Sequence, residues 1–248
     1  MSLQLYSVRN HCKQDFDKSL ADVASLGYDG VEFAGYYKYG NKAKELKKKL
    51  DDLGLKAAGT HIRANSFDKN NIQKTIDFHK EIGCKYLIVP GDGRFSHPEQ
   101  SKQYAELMNK AAEALKPHAL YCGHHNHTSE FKIAEGEKTY WDLFAERTSD
   151  DVVLQQDVGW TVHAKRDPVM YIEKYPGRTK IVHFKPTAME KSKKPIIGQD
   201  SVPWKEIISA CRKVGGTEWA TVEQEKYLPG KTPMECSGLS LNGLKELL

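Results

Sequence analysis

The chain has 248 residues, 39% of them hydrophobic and 28% charged, with a net charge of +4. This is the composition of a soluble globular protein, long enough to bury a core without disulfide staples. Its lysines are dispersed, with no Arg-rich patch interleaved with aromatics, and no run approaches the ~20 apolar residues of a membrane span. Nucleic acid and membrane are therefore excluded as expected partners.

Short apolar runs alternate with longer amphipathic ones. Residues 2–6 read as a strand, and 16–26 as a helix with Phe16, Leu20, Val23 and Leu26 on one face and Gly27 as a stop. A strand over 30–33 precedes a helix over 42–53. A strand over 56–60 precedes a helix over 72–82 that stops at Gly83. Tyr86 to Pro90 is apolar almost throughout, as a strand covered on both faces should be, and a helix over 99–115 follows. The second half continues with strands over 120–125, 152–157, 179–183 and 219–223. Helices over 139–146, 168–174, 204–213 and 239–247 follow them in turn, Pro168 standing in the first turn of its helix. Eight strand–helix pairs, with no Gly-rich dinucleotide loop after the first strand, predict a (β/α)8 TIM barrel as one domain over 1–248. Trp204 and Trp219 read as packing on the barrel exterior.

The five cysteines are scattered and form no C-x-x-C pair, which argues against a disulfide framework and a cysteine-built zinc site. A reducing, cytoplasmic setting is expected. An export signal trimmed from ahead of the first strand is the alternative.

Polar residues gather where the predicted strands end. Glu32 ends the second, His61 follows the third, and His124, His125, Asn126 and His127 end the fifth, with Glu130 just beyond. Asp157, His183 and Glu223 end the sixth, seventh and eighth, and Glu225 stands two residues on. In a barrel these ends converge on one mouth, where active sites are built. Singly, each has a plain structural reading: a hydrogen-bonded histidine, a helix-capping Asp, a Glu paired with Lys. Together, Asp157, His183 and Glu223 make an N/O ligand set for one divalent ion, which could be Mn2+, Mg2+, Zn2+, Fe2+ or Co2+. His125 and Glu130 are the candidates for a fourth ligand. Burying so many such groups without a cation or tight pairing would cost heavily. Trp160, just past Asp157, is a candidate to stack on a sugar ring or, equally, to pack the core.

The motifs LQLYSVR (3–9), GYDGVEFAGYY (27–37), GTHI (59–62), HNHTSEF (125–131), QDVGW (156–160), DPVMYIEKYPGR (167–178), HFK (183–185) and VEQE (222–225) run in order along the chain. With them the chain resembles the xylose isomerase-like barrel superfamily, in its sugar phosphate isomerase/epimerase branch. The resemblance implies a metal at the mouth held by Glu, Asp, His and Glu from strands five to eight. Carried over, the last three fall on Asp157, His183 and Glu223, while the first position holds His125 instead of Glu. Its HNH arrangement is similar to that of keto-inositol dehydratase-like and keto-glycoside-processing relatives. Pro186 is a second departure, since many relatives carry Asp after His-x-Lys.

The expected activity is metal-dependent isomerisation or epimerisation of a sugar or sugar phosphate through an enediolate. A keto-sugar or keto-inositol dehydratase on the same site is the first alternative, and a non-catalytic sugar-binding barrel the second. Glu130, Glu223 and His127 are the candidate bases, and Lys185 the stabiliser of developing negative charge on oxygen. Glu32, His61, Trp160 and Glu225 are the expected substrate contacts. The expected partner is a small sugar or cyclitol, and a homo-oligomer stays open.

Overall fold

The computed structural model describes residues 1–248. Strands β1 (Ser2–Gln4), β2 (Gly30–Phe33), β3 (Lys56–His61), β4 (Tyr86–Val89), β5 (Tyr121–His125), β6 (Val153–Gln155), β7 (Ile181–Phe184) and β8 (Trp219–Val222) form one parallel sheet. Their order is β6-β5-β4-β3-β2-β1-β8-β7. The two ends of this sheet meet at an isolated parallel bridge between Asp157 and His183, where the His183 N–H donates to Gln156 O at 2.9 Å. The sheet thereby closes into the expected TIM barrel. No helix is long and apolar enough to cross a membrane.

Helices α1 (Phe16–Ser25), α2 (Ala43–Asp52), α3 (Ile72–Ile82), α4 (Ser101–Leu115), α5 (Tyr140–Arg147), α6 (Pro168–Lys174), α7 (Trp204–Ala210) and α8 (Pro233–Leu247) follow the strands in turn. Each turns a helical stripe inward: Phe16, Leu20 and Val23 in α1, and Tyr104, Met108, Ala111, Ala112 and Leu115 in α4. Gly83 ends α3 in the left-handed conformation at φ 71°, which a residue without Cβ adopts freely.

Alternation along the strands layers the barrel interior. Tyr86, Ile88, Val153 and Ile181 form an apolar floor, with Tyr121 and Trp219 packed against it. Ser2 and Thr221 share a hydrogen bond of 2.8 Å, and two residues further on Gln4 donates to Glu32 at 2.9 Å. The next inward positions are His61, His125, Gln155 and His183, so the layers pass from apolar to ionisable towards the C-terminal mouth.

Several boundaries differ from the sequence reading. β1 stops at Gln4 because its side chain accepts the Tyr6 N–H at 3.1 Å and turns the chain into a 3-10 turn. Short helices at Arg9–Gln14 and Val158–His163 and a small hairpin, Ile133–Glu135 with Lys138–Thr139, are additions. Trp219 packs on the barrel floor rather than the exterior, since its position matches the inward parity of Thr221. Trp204 lies outside against Phe184, as expected.

His79 on α3 is neutral and enclosed. Its Nδ1–H donates to Thr75 O at 2.6 Å, Nε2 accepts from the Tyr36 hydroxyl at 3.0 Å, and burial pushes its pKa down to about 4. The unfolded chain takes up this proton near pH 6.5 and the folded chain only near pH 4. The stability it confers is therefore complete above pH 6.5 and falls as pH drops towards 4, by about 3 kcal/mol. Urea titrations at pH 7 and 4.5 should show this loss in the parent and a shallower slope in His79→Gln. An equal slope in both would assign the acid sensitivity elsewhere.

Candidate metal centre

The mouth is built by strand ends that the barrel brings together. His125 ends β5, Asp157 lies just past β6, His183 is inside β7 and Glu223 follows β8. One ligand atom from each lies within 4.8 Å of the others, and all four residues are buried. His183 Nδ1 is 3.0 Å from Glu223 Oε2 and 3.9 Å from Asp157 Oδ2, and His125 Nε2 is 4.0 Å from the same Oδ2. Such spacings suit donors that share one ion at about 2.0–2.2 Å.

Asp157 is the most telling member. Its Oδ1 accepts the Trp160 N–H at 2.8 Å and caps the short helix behind it, but its buried Oδ2 has no hydrogen-bond partner. Burial, reinforced by Glu223, pushes this carboxyl up to about 8 against the pull of Lys185 and His183. Its close approach to β7 depends on Gly159, where a Cβ would stand 2.4 Å from Lys185 O.

The other groups compensate one another. Burial alone would discharge His183, but Glu32 and Glu223 outweigh it and raise its pKa to about 10. Glu223 is held well below the usual carboxylate range: burial opposes charge, and Lys185 and His183 overcome it. Lys185 Nζ lies 3.5 Å from Glu223 Oε2 and 3.9 Å from Asp157 Oδ2, and pairs closely with Glu225. His183 Nδ1 thus sits between the Glu223 and Asp157 carboxyl groups, a position that a divalent cation fits in place of a proton.

Above the cluster opens a cavity of about 340 Å³, lined by Tyr6, His61, Arg63, His125, Glu223 and Glu225 among others, with His127 also on its wall. A cavity of about 420 Å³ at the opposite end of the barrel is lined by Leu50, Ala57, Ile82 and Trp219 and by lysines and acids such as Lys85 and Glu218. None of the four clustered donors reaches it.

Of the expected contacts, His61 and Glu225 therefore face the cavity, and Lys185 stands beside it. Trp160 does not line it; its ring packs 5.5 Å from that of His127 and under Lys185 Nζ, 4.6 Å from the ring centre. Glu32 is a correction. It is fully buried and bonded to Gln4, Gln155 and His183, so it lies beneath the cavity and does not line it. Glu130 is a second correction. Its Oε2 accepts from the His127 N–H at 2.8 Å and the Ser129 hydroxyl at 3.0 Å, and its Oε1 is 3.7 Å from His124. His124 points the opposite way from His125, into Phe95, Tyr104 and Phe144. Glu130 thus fixes the loop and faces away from the cluster. His125→Ala should remove most bound metal while Glu130→Gln leaves metal content unchanged after dialysis. The reverse pattern would reinstate Glu130 as the fourth ligand.

A family model described as xylose isomerase-like TIM barrel matches residues 20–239. The chain belongs to this family. Within it, the chain is 27% identical over 199 residues to an inosose dehydratase of Mesomycoplasma hyopneumoniae (strain 7448), an alignment covering 71% of this chain and 64% of that one. The match thus spans less than two thirds of that relative. A sugar phosphate isomerase/epimerase from Parabacteroides distasonis ATCC 8503 superposes with a TM-score of 0.82 at 28% identity, covering 99% of this chain and 93% of the other. The IOLI protein, solved with a bound zinc atom, shares the fold at a TM-score of 0.72 and 13% identity, over 99% and 96% of the two chains.

Proposed function

We propose that this xylose isomerase-like barrel is an enzyme that removes the proton beside the carbonyl of a keto-sugar or keto-cyclitol. His125, Asp157, His183 and Glu223 would hold its divalent ion. The observation that carries this reading is the orphaned Asp157 Oδ2, buried among three further donors beneath an open cavity. Bound there, a divalent ion supplies Lewis-acid polarisation of a carbonyl. The donor set suits Mn2+, Mg2+, Zn2+, Fe2+ and Co2+ alike.

The chain's own residues do the rest. Glu223 reaches the cavity and Lys185 beside it favours its ionised form, so it is placed to accept the proton. Lys185 holds positive charge where negative charge develops on oxygen. His127, neutral because burial pushes its pKa down, offers a second proton-transfer group on the wall.

Return of the proton gives isomerisation or epimerisation, and departure of a hydroxyl from the next carbon gives dehydration. The sugar phosphate isomerase/epimerase from Parabacteroides supports the first. Elimination is favoured by an imidazole in place of a carboxylate at the end of β5, which leaves one fewer carboxylate base for a two-base exchange. The inosose dehydratase relative supports it too. The test is to incubate metal-loaded protein with keto-sugars and keto-cyclitols in D2O. Deuterium at the α-carbon is expected, with a new conjugated-enone absorbance if elimination follows. No exchange with any of them would leave a sugar-binding barrel.

A further inference from the structure

Beneath the cavity, two imidazoles meet one amide. Gln155 Nε2 is 2.6 Å from Glu32 Oε1, and the same carboxylate also accepts from Gln4 at 2.9 Å and from His183 Nε2–H. Three donors converge on this one carboxylate, and the Gln4 amide among them is oriented by its own Oε1, which accepts the Tyr6 N–H, so Glu32 stands as the acceptor. The amide nitrogen of Gln155 must therefore face Glu32, which turns Oε1 the other way. There Oε1 lies 2.8 Å from His61 Nε2 and 3.1 Å from His125 Nδ1. A carbonyl oxygen cannot donate, so both of these nitrogens carry the hydrogen. In a neutral imidazole the other nitrogen then holds the lone pair. No acceptor lies within hydrogen-bond distance of His61 Nδ1 or His125 Nε2 to hold a second proton on either ring.

We infer that Gln155 fixes two histidine tautomers at once. It presents the His125 Nε2 lone pair to the donor cluster and leaves His61 Nδ1 as a hydrogen-bond acceptor for a ligand hydroxyl. The orientation of His125 towards an ion rests on the proposed metal centre; the tautomers themselves do not. His61 lines the cavity, and its Nδ1 has no partner in the protein. Glu223 and Glu225 add acceptors to the same wall; Lys185 beside them is already paired with both, and Arg63 stands exposed at the rim. This corner therefore takes a hydroxyl-rich, uncharged part of a polyol, and a phosphate or carboxylate group would meet lone pairs. Gln155 acts through His61 and His125, as a positioning residue.

The experiment is long-range 1H–15N spectroscopy of the metal-free 15N-labelled protein, with rings assigned from His61→Gln and His125→Gln. Wild type should show His125 protonated on Nδ1 and His61 on Nε2. Gln155→Leu should lose both signatures and bind zinc about 10- to 100-fold more weakly in chelator competition. Either ring in the opposite tautomer in wild type, or unweakened zinc binding by the variant, overturns the inference. Wild type with both tautomers but no zinc affinity would instead sink the metal centre and leave the tautomer lock standing.

Discussion

Asp157→Ala should strip the bound divalent ion, lowering affinity by more than about 100-fold. Loss of an outer partner of a metal ligand already costs about 10- to 100-fold, and Asp157 is placed to be a ligand itself. Its Oδ2 has no hydrogen-bond partner, and burial, with Glu223 beside it, pushes the carboxyl up to about 8 despite Lys185 and His183. A group disfavoured in this way without an ion gains most when one is present. Stability of the metal-free protein should change little. Losing the cap on the Trp160 N–H costs about 1 kcal/mol, while losing a buried, unpaired oxygen returns a similar amount. Asp157→Asn separates the two effects, because its side-chain oxygen can still cap while the amide cannot replace the anionic ligand. Metal content after dialysis and thermal midpoints of the metal-free forms are the measurements. Stoichiometric metal retained by Asp157→Ala would contradict the cluster.

The strand ends were legible because a barrel turns position along the chain into position in space. Asp157, His183 and Glu223 lie 26 and 40 residues apart in sequence, yet they meet because each stands at the end of its own strand. Parity was the harder part. Side chains alternate between the barrel interior and the helix layer, so adjacent histidines 124 and 125 have opposite fates, and Glu130 follows His124 outward. Depth was harder still. Glu32 has inward parity, but β2 places it one layer below the mouth, where Gln4, Gln155 and His183 take its lone pairs. Gln155 carried a usable signal, since it stands two residues before Asp157 on the same strand face. Helix α8 offered another: Thr232 and Glu235 form a capping box around Pro233, six residues ahead of the expected start at Leu239. Its first turn lacks a clear apolar stripe, which is why periodicity alone began the helix too late. The hairpin at 133–139 is too short for alternation to register.

Lys185→Met should lower turnover by about 100- to 1,000-fold, the range for deleting a group that stabilises a developing oxyanion. The same change should destabilise the metal-free protein by about 3–5 kcal/mol, since it removes one partner from a buried ion network. Lys185 is only 8% exposed and faces Asp157, Glu223 and Glu225 together. With it gone, His183 is the cation left beside Asp157 and Glu223, and its Nε2 side is already committed to Glu32. A divalent ion in the cluster would neutralise the same carboxylates, so metal should recover much of the lost stability while recovering little of the rate. Saturating metal should therefore narrow the gap in thermal midpoint between Lys185→Met and the parent, and leave the gap in α-proton exchange wide. If metal restored neither stability nor exchange, the lost stability would come from the packing of the Lys185 side chain and not from its charge. If metal restored both, its charge would be interchangeable with that of the ion, and it would have no separate part in the chemistry.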